Sequence, residues 1–270
     1  MDQYIHGYTS QEQRRLAKLN ELLNFRCLSL LTLAPGMRVL DVGSGLGMFS
    51  AQMADQVGPT GRVLGVEKSE AQLARAAVWL EGRPQLSYRQ GDAYHLPLKD
   101  IGVAAFDLAH TRFLLEHVQR PARVVGQMFQ AVRPGGQVVL VDDDHLRFTL
   151  YPELPAFDVI WFAYLKSYEV MGNDPYIGRK LVALLKDAGC RSIRNDFIFF
   201  GSNADQSDFA DYVRNIAEII EQARSVITEH RLLAESEFEE GLRAFQQWQH
   251  HPHATIWYQV CWAEGTKPES

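Results

Sequence analysis

Two periods alternate along the first half of this 270-residue chain. Apolar runs of strand length, Arg38 to Val42, Arg62 to Glu67, Leu86 to Gln90, Phe106 to Thr111 and Gln137 to Asp142, are separated by stretches with apolar residues at helical spacing. Near-continuous apolar runs mark strands buried on both faces, and strands that alternate with helices pair in parallel. The helices carry their own start signals. Thr9 with Glu12 and Ser10 with Gln13 have capping-box spacing, ahead of a stripe through Leu16, Leu19, Leu22, Leu23 and Leu30 that Pro35-Gly36 ends. A second helix spans Met48 to Val57, a third is capped by Ser69, and a fourth begins at Pro121.

After residue 142 the rhythm changes. Leu154 to Val170 reads as an aromatic-rich helix, Ile177 to Ala188 as an ordinary one and Ser192 to Phe200 as a strand. A charged helical stretch, Ser207 to Gln249, follows before a last strand at Thr255 to Ala263. The expectation is one domain over 1–270, with an N-terminal lid and helix at 1–34, a ligand-binding core at 35–150 and the remaining helices and strands at 151–270.

The turn after the first strand narrows the ligand. Val39-Leu40-Asp41-Val42-Gly43-Ser44-Gly45-Leu46-Gly47 runs from a buried strand into three glycines at alternate positions, where the backbone can bend and approach a ligand closely. A dinucleotide fingerprint needs a glycine three positions after the second; that position is Met48. Asp41 at the strand end would also repel a pyrophosphate arriving at the following helix N-terminus. An NAD-dependent oxidoreductase is therefore disfavoured, and a cationic nucleoside ligand is favoured.

With Glu67, Gly91-Asp92 and Arg133-Pro134-Gly135-Gly136 following in order, the chain resembles the class I S-adenosylmethionine-dependent methyltransferases over nearly its whole length. The resemblance implies an α/β fold with a doubly wound, mostly parallel seven-stranded sheet, and makes residues 203–253 a helical cap inserted before the last strand. It implies S-adenosylmethionine as cofactor, held by Asp41, Gly43, Ser44 and Gly45. Glu67, 20 residues after Gly47, is placed to accept both ribose hydroxyl protons, and Lys68 to flank the adenine. Asp92 and Ala93 take the adenine edge, although Asp92 could instead cap a turn. Thr111 and Arg112, in His110-Thr111-Arg112-Phe113, end the fourth strand beside the methionine moiety. The leader Tyr4-Ile5-His6-Gly7-Tyr8 reads either as an aromatic lid on the cofactor, with Tyr8 as a contact, or as simple packing.

Composition limits the acceptor. A net charge of -6 and no Lys/Arg cluster argue against a nucleic-acid substrate, and no apolar run reaches membrane-span length. A cytoplasmic enzyme acting on a small-molecule acceptor is expected, with the charged cap offering a surface for a homodimer. Cys27, Cys190 and Cys261 have no metal or redox spacing, and His250-His251-Pro252-His253 resembles a metal tract only in composition, so no metal is expected. Asn173-Asp174-Pro175-Tyr176 looks like an N-methylation motif but falls too late in the chain. His145, beside Asp142-Asp143-Asp144, and His117 are the catalytic or acceptor-contacting candidates; nearby carboxylates are expected to raise the His145 pKa. Trp161, Tyr164 and Tyr168 line an acceptor pocket or form core. A non-methylating reaction on the same cofactor is the alternative activity.

Overall fold

The computed structural model describes residues 9–269, so the Tyr4 to Tyr8 leader, including Tyr8, lies outside it. Helix α1 (Ser10–Leu30) starts where the cap signal puts it, with the Thr9 hydroxyl accepting the Glu12 N–H at 3.2 Å. Then come β1 (Arg38–Val42), α2 (Met48–Val57), β2 (Arg62–Glu67), α3 (Glu70–Ala76), β3 (Leu86–Gln90), the short α4 (Leu98–Ile101), β4 (Phe106–Arg112), α5 (Pro121–Ala131) and β5 (Val132–Asp142). The second half holds β6 (Phe148–Tyr151), α6 (Pro155–Val170), α7 (Leu181–Asp187), β7 (Arg191–Phe199), the cap helices α8 (Phe209–Gln222), α9 (Arg224–Glu229) and α10 (Glu235–Trp248), and β8 (Thr255–Thr266).

Strands β3, β2, β1, β4 and β5 are parallel in that order, and β8 runs antiparallel to β5. The fold is the expected doubly wound α/β sheet with the cap inserted between β7 and β8. It has eight strands rather than seven, because the four-residue β6 pairs with Thr255 to Tyr258, the first third of β8. Four residues are too few to show a period. The Pro134-Gly135-Gly136 turn is absorbed into β5 as an irregularity opposite Phe106 and Leu108.

The geometry around β8 positions the site. Residues 261–266 have β5 on one edge and β7 on the other; past β7 the chain keeps its own edge, with Phe200 N–H to Tyr258 O at 2.8 Å. Strand β6 therefore continues the row that β5 began, and the β5–β6 turn carrying Asp143 and His145 is folded against Tyr258. Two apolar clusters cover the sheet faces. One joins α1 and α2 to α6 and the cap through Leu23, Phe49, Phe157, Tyr212, Phe238 and Phe245; the other packs α5 and α7 through Val124, Met128, Leu181 and Leu185. Among the described residues no helix is long and apolar enough to cross a membrane.

Candidate active site

A cavity of about 250 Å³ opens at the C-terminal ends of β1, β2, β3 and β4, the edge where open α/β sheets bind ligands. Gly43, Gly45 and Gly47 have φ of +76°, +54° and +72°, which side chains rarely tolerate. At Gly47 even a methyl would collide with the Tyr88 ring and lie 2.8 Å from Ala76 Cβ. The Gly43 and Ser44 N–H groups both donate to Val66 O, fixing the turn to β2.

Glu67 sits at the rim of this turn. One carboxylate oxygen accepts the Gly45 N–H at 3.0 Å and the other the Ser69 N–H at 2.8 Å, which leaves each oxygen a lone pair for a further donor. Burial raises its pKa above 4.5, against those backbone N–H bonds. Asp92 lines the cavity, and its Oδ1 accepts the Tyr94 N–H at 2.9 Å, the turn contact that was the alternative to an adenine contact. Lys68 stands 3.8 Å from its other oxygen, and Ala93 lines the same wall. Asp41 also faces the cavity, with Ser50 Oγ on one oxygen at 2.5 Å and His110 Nδ1 on the other at 2.9 Å.

Two candidates at the end of β4 change meaning. Thr111 is a correction: it is fully buried outside the cavity lining, and its hydroxyl donates to Val42 O at 2.8 Å, so it tightens β4 against β1. Arg112 reaches the lining, but its guanidinium donates to Asn20 Oδ1 at 2.8 Å and Asn24 Oδ1 at 2.9 Å and lies 4.5 Å over the Phe49 ring. It fastens α1 across the sheet edge.

The far end of the cavity is acidic and aromatic. His145 is buried, with Nε2 3.0 Å from Glu116 Oε2 and Nδ1 2.7 Å from the Tyr258 hydroxyl. His117 Nε2 is 3.4 Å from the other Glu116 oxygen. Tyr164 and Tyr168 line the wall and share a hydroxyl contact at 2.9 Å, whereas Trp161 stays in the core and donates to His145 O. The aromatic stripe thus divides between pocket and core. The expected rise of the His145 pKa is corrected too. Burial lowers it, outweighing the charges of Asp143 and Asp144, and Asp144 is spent on Arg179 at 2.7 and 2.8 Å. Burial likewise pushes His117 down to about 3, Glu116 up to about 8 and Asp143 up to about 7.

Glu116, Asp143 and His145 each bring one donor atom within 4.8 Å of the others, the one group among the described residues with metal-binding spacing. The His250 to His253 tract is not part of it. The sequence reading passed over Glu116, Asp143 and Tyr258 as site residues. The Asp142 to Asp144 run was visible, but not which member faces inward.

Residues 40–140 match the family model described as a methyltransferase domain. The core is a class I S-adenosylmethionine-dependent methyltransferase domain. A demethylmenaquinone methyltransferase of Bacillus licheniformis is 28% identical over 173 residues, 61% of this chain and 71% of that protein. A 37.1 kDa protein encoded in transposon TN4556 of Streptomyces fradiae is 33% identical over 164 residues, 60% of this chain and 46% of its own; the chain thus spans about half the length of that relative. Among solved structures, a Bacillus halodurans protein described as a methyltransferase superposes with a TM-score of 0.59 at 19% identity, covering 91% of this chain and 98% of that one. Phosphoethanolamine N-methyltransferase 2 of Haemonchus contortus, solved with S-adenosylhomocysteine, gives 0.52 at 18% identity over 95% and 52%. The methyltransferase domain's cofactor is S-adenosylmethionine, and the glycine turn, Glu67 and Asp92 line one cavity.

Proposed function

We propose that the chain transfers a methyl group from S-adenosylmethionine to a small-molecule acceptor. The observation that carries this reading is that one continuous cavity joins the Glu67 rim to the Glu116, His145 and Tyr168 end, so a cofactor and an acceptor can meet in line. In the reaction the methyl carbon leaves sulfur and bonds to the acceptor atom, the acceptor's proton is released, and S-adenosylhomocysteine remains. Positioning can supply about 7 to 11 kcal/mol of the barrier. His117 and His145 contact the acceptor as uncharged imidazoles. An imidazole held near a pKa of 3, as His117 is, is a weak proton acceptor, so alignment rather than proton abstraction carries the rate. The aromatic wall of Tyr164 and Tyr168, together with the demethylmenaquinone methyltransferases among the relatives, supports a ring-bearing acceptor, and the acidic net charge supports a small molecule over nucleic acid.

The test is a thermal-unfolding series with S-adenosylmethionine, S-adenosylhomocysteine and NAD on wild type and Glu67→Ala, followed by mass analysis of candidate quinols and phenols. At about 100 times Kd a ligand adds roughly 2.7 kcal/mol of stability. Stabilisation by both S-adenosyl ligands, lost in the variant, with one methyl gained by an acceptor, is the expected outcome. A shift with NAD alone sinks the reading.

A further inference from the structure

Two buried acids and a histidine meet at one end of the cavity. Glu116 comes from the turn after β4, and Asp143 and His145 from the turn after β5; their donor atoms lie within 4.8 Å of one another. The 3.0 Å between His145 Nε2 and Glu116 Oε2 is the spacing of two neighbouring ligands on one ion with bonds of about 2.1 Å. A second observation concerns Asp143 alone. It is only 8% exposed and lines the cavity, and its Oδ1 has no hydrogen-bond partner among the described residues. A buried acceptor oxygen left this way costs free energy unless something arrives to use it. Arg15, whose charge acts on Glu116, pairs at two points with Glu12 at 2.7 Å and donates to Asn215 at 2.9 Å.

We propose that Glu116, Asp143 and His145 bind a divalent cation of the Mn²⁺ type, whose remaining positions face the cavity and take an oxygen of the acceptor. Two carboxylate oxygens and one imidazole suit a small transition-metal dication better than Ca²⁺, which takes six to eight oxygens. Three protein donors leave positions open, as catalytic sites require. The orientation of His145 is already set. Its Nδ1 lies 2.7 Å from the Tyr258 hydroxyl; in the tautomer that carries its proton on Nδ1, the Nε2 lone pair is left for the ion, in the way a ligating histidine is held by a partner on its other nitrogen. The acceptor class follows: a molecule with a hydroxyl that the ion can ligate, its O–H loosened without a strong base. That last step rests on the methyltransferase reading, whereas ion binding does not.

The experiment is Mn²⁺ titration of the chelator-treated full-length protein, read by the loss of free Mn²⁺ spin-resonance signal and by calorimetry, with Mg²⁺, Zn²⁺ and Ca²⁺ in parallel. One saturable Mn²⁺ site is expected, lost in Glu116→Gln and in Asp143→Asn and weakened about 10- to 100-fold in Tyr258→Phe. S-adenosylhomocysteine binding should persist in all three variants, which separates loss of the ion from loss of the fold. Absence of saturable Mn²⁺, Mg²⁺ or Zn²⁺ binding overturns the proposal, as does Mn²⁺ binding that Asp143→Asn leaves unchanged. Failure of S-adenosylhomocysteine to bind the wild type would instead count against the methyltransferase activity.

Discussion

Glu67 holds its own turn together and lines the cavity. The Gly45 and Ser69 N–H groups keep it in place, so a hydroxyl brought to it would meet a carboxylate that needs no rearrangement. Because burial raises its pKa above 4.5, the pH dependence has a definite sign. Below the folded-state value Glu67 is protonated and accepts poorly; affinity for S-adenosylhomocysteine should therefore fall as pH drops through that value, beginning above the ordinary carboxylate range. The ligand-free protein behaves oppositely, since an acid with a raised folded pKa contributes stability at low pH and loses it as pH rises from 4.5. Calorimetric titrations from acid to neutral pH check the first sign; affinity that stays flat over that range would remove Glu67 from the ribose contact. Gly47 gives a second residue-level test. A left-handed alanine costs about 1 to 2 kcal/mol, and the collision with Tyr88 and Ala76 adds to it, so Gly47→Ala should lower the denaturant midpoint and weaken cofactor binding together. Unchanged binding at reduced stability would confine the glycine's role to folding.

Helix α1 is the element whose part was least foreseen. Its cap at Thr9 and its leucine stripe were legible because both are local patterns, and β1 to β5 were legible because buried parallel strands read as apolar runs. Arg112 was legible only as a cofactor-site candidate at the end of β4. Its reach to Asn20, Asn24 and Cys27, at 2.8, 2.9 and 3.3 Å, joins positions more than 80 apart in sequence, which no local pattern encodes. Tyr258 and His145 form a pair of the same kind, brought together because β6 extends the β5 row along β8. The consequence for α1 is measurable. Hydrogen bonds to a charged group contribute about 1.5 to 3 kcal/mol, so Arg112→Leu should cost at least that and act first on α1. Hydrogen exchange should show α1 amides opening faster while those of β1 and β4 keep their protection. Equal acceleration across the sheet would mean that Arg112 supports the whole core rather than the helix.

At the scale of the whole molecule the question is whether the cap is a separate folding unit. Its helices lie between β7 and β8, so both chain ends of the insertion are held in the sheet. Its apolar residues are continuous with those beneath it. Phe245 of α10 packs on Phe157 of α6 at 4.4 Å, Phe157 on Phe148 at 5.5 Å and Phe148 on Tyr258 of β8 at 5.4 Å. Arg15 adds a polar tie from α1 to Asn215 of α8 at 2.9 Å. A cap with its own core would have a gap in this chain of contacts; here the cluster runs from the sheet to α10 without one. Cap and sheet should therefore unfold together. In urea, far-ultraviolet circular dichroism and tryptophan fluorescence should give one coincident transition. Phe245→Ala, which empties a fully buried site, should move both probes to the same lower midpoint, by about 3 to 5 kcal/mol. If the cap instead melts first, fluorescence from Trp248, at the end of α10, would change before the sheet signal, and the variant would shift that early phase alone. The cavity makes the difference consequential: its walls come from both parts, and only a cap that unfolds with the sheet keeps Ile216 and Ile219 of α8 in one lining with Tyr164 and Tyr168 whenever the protein is folded.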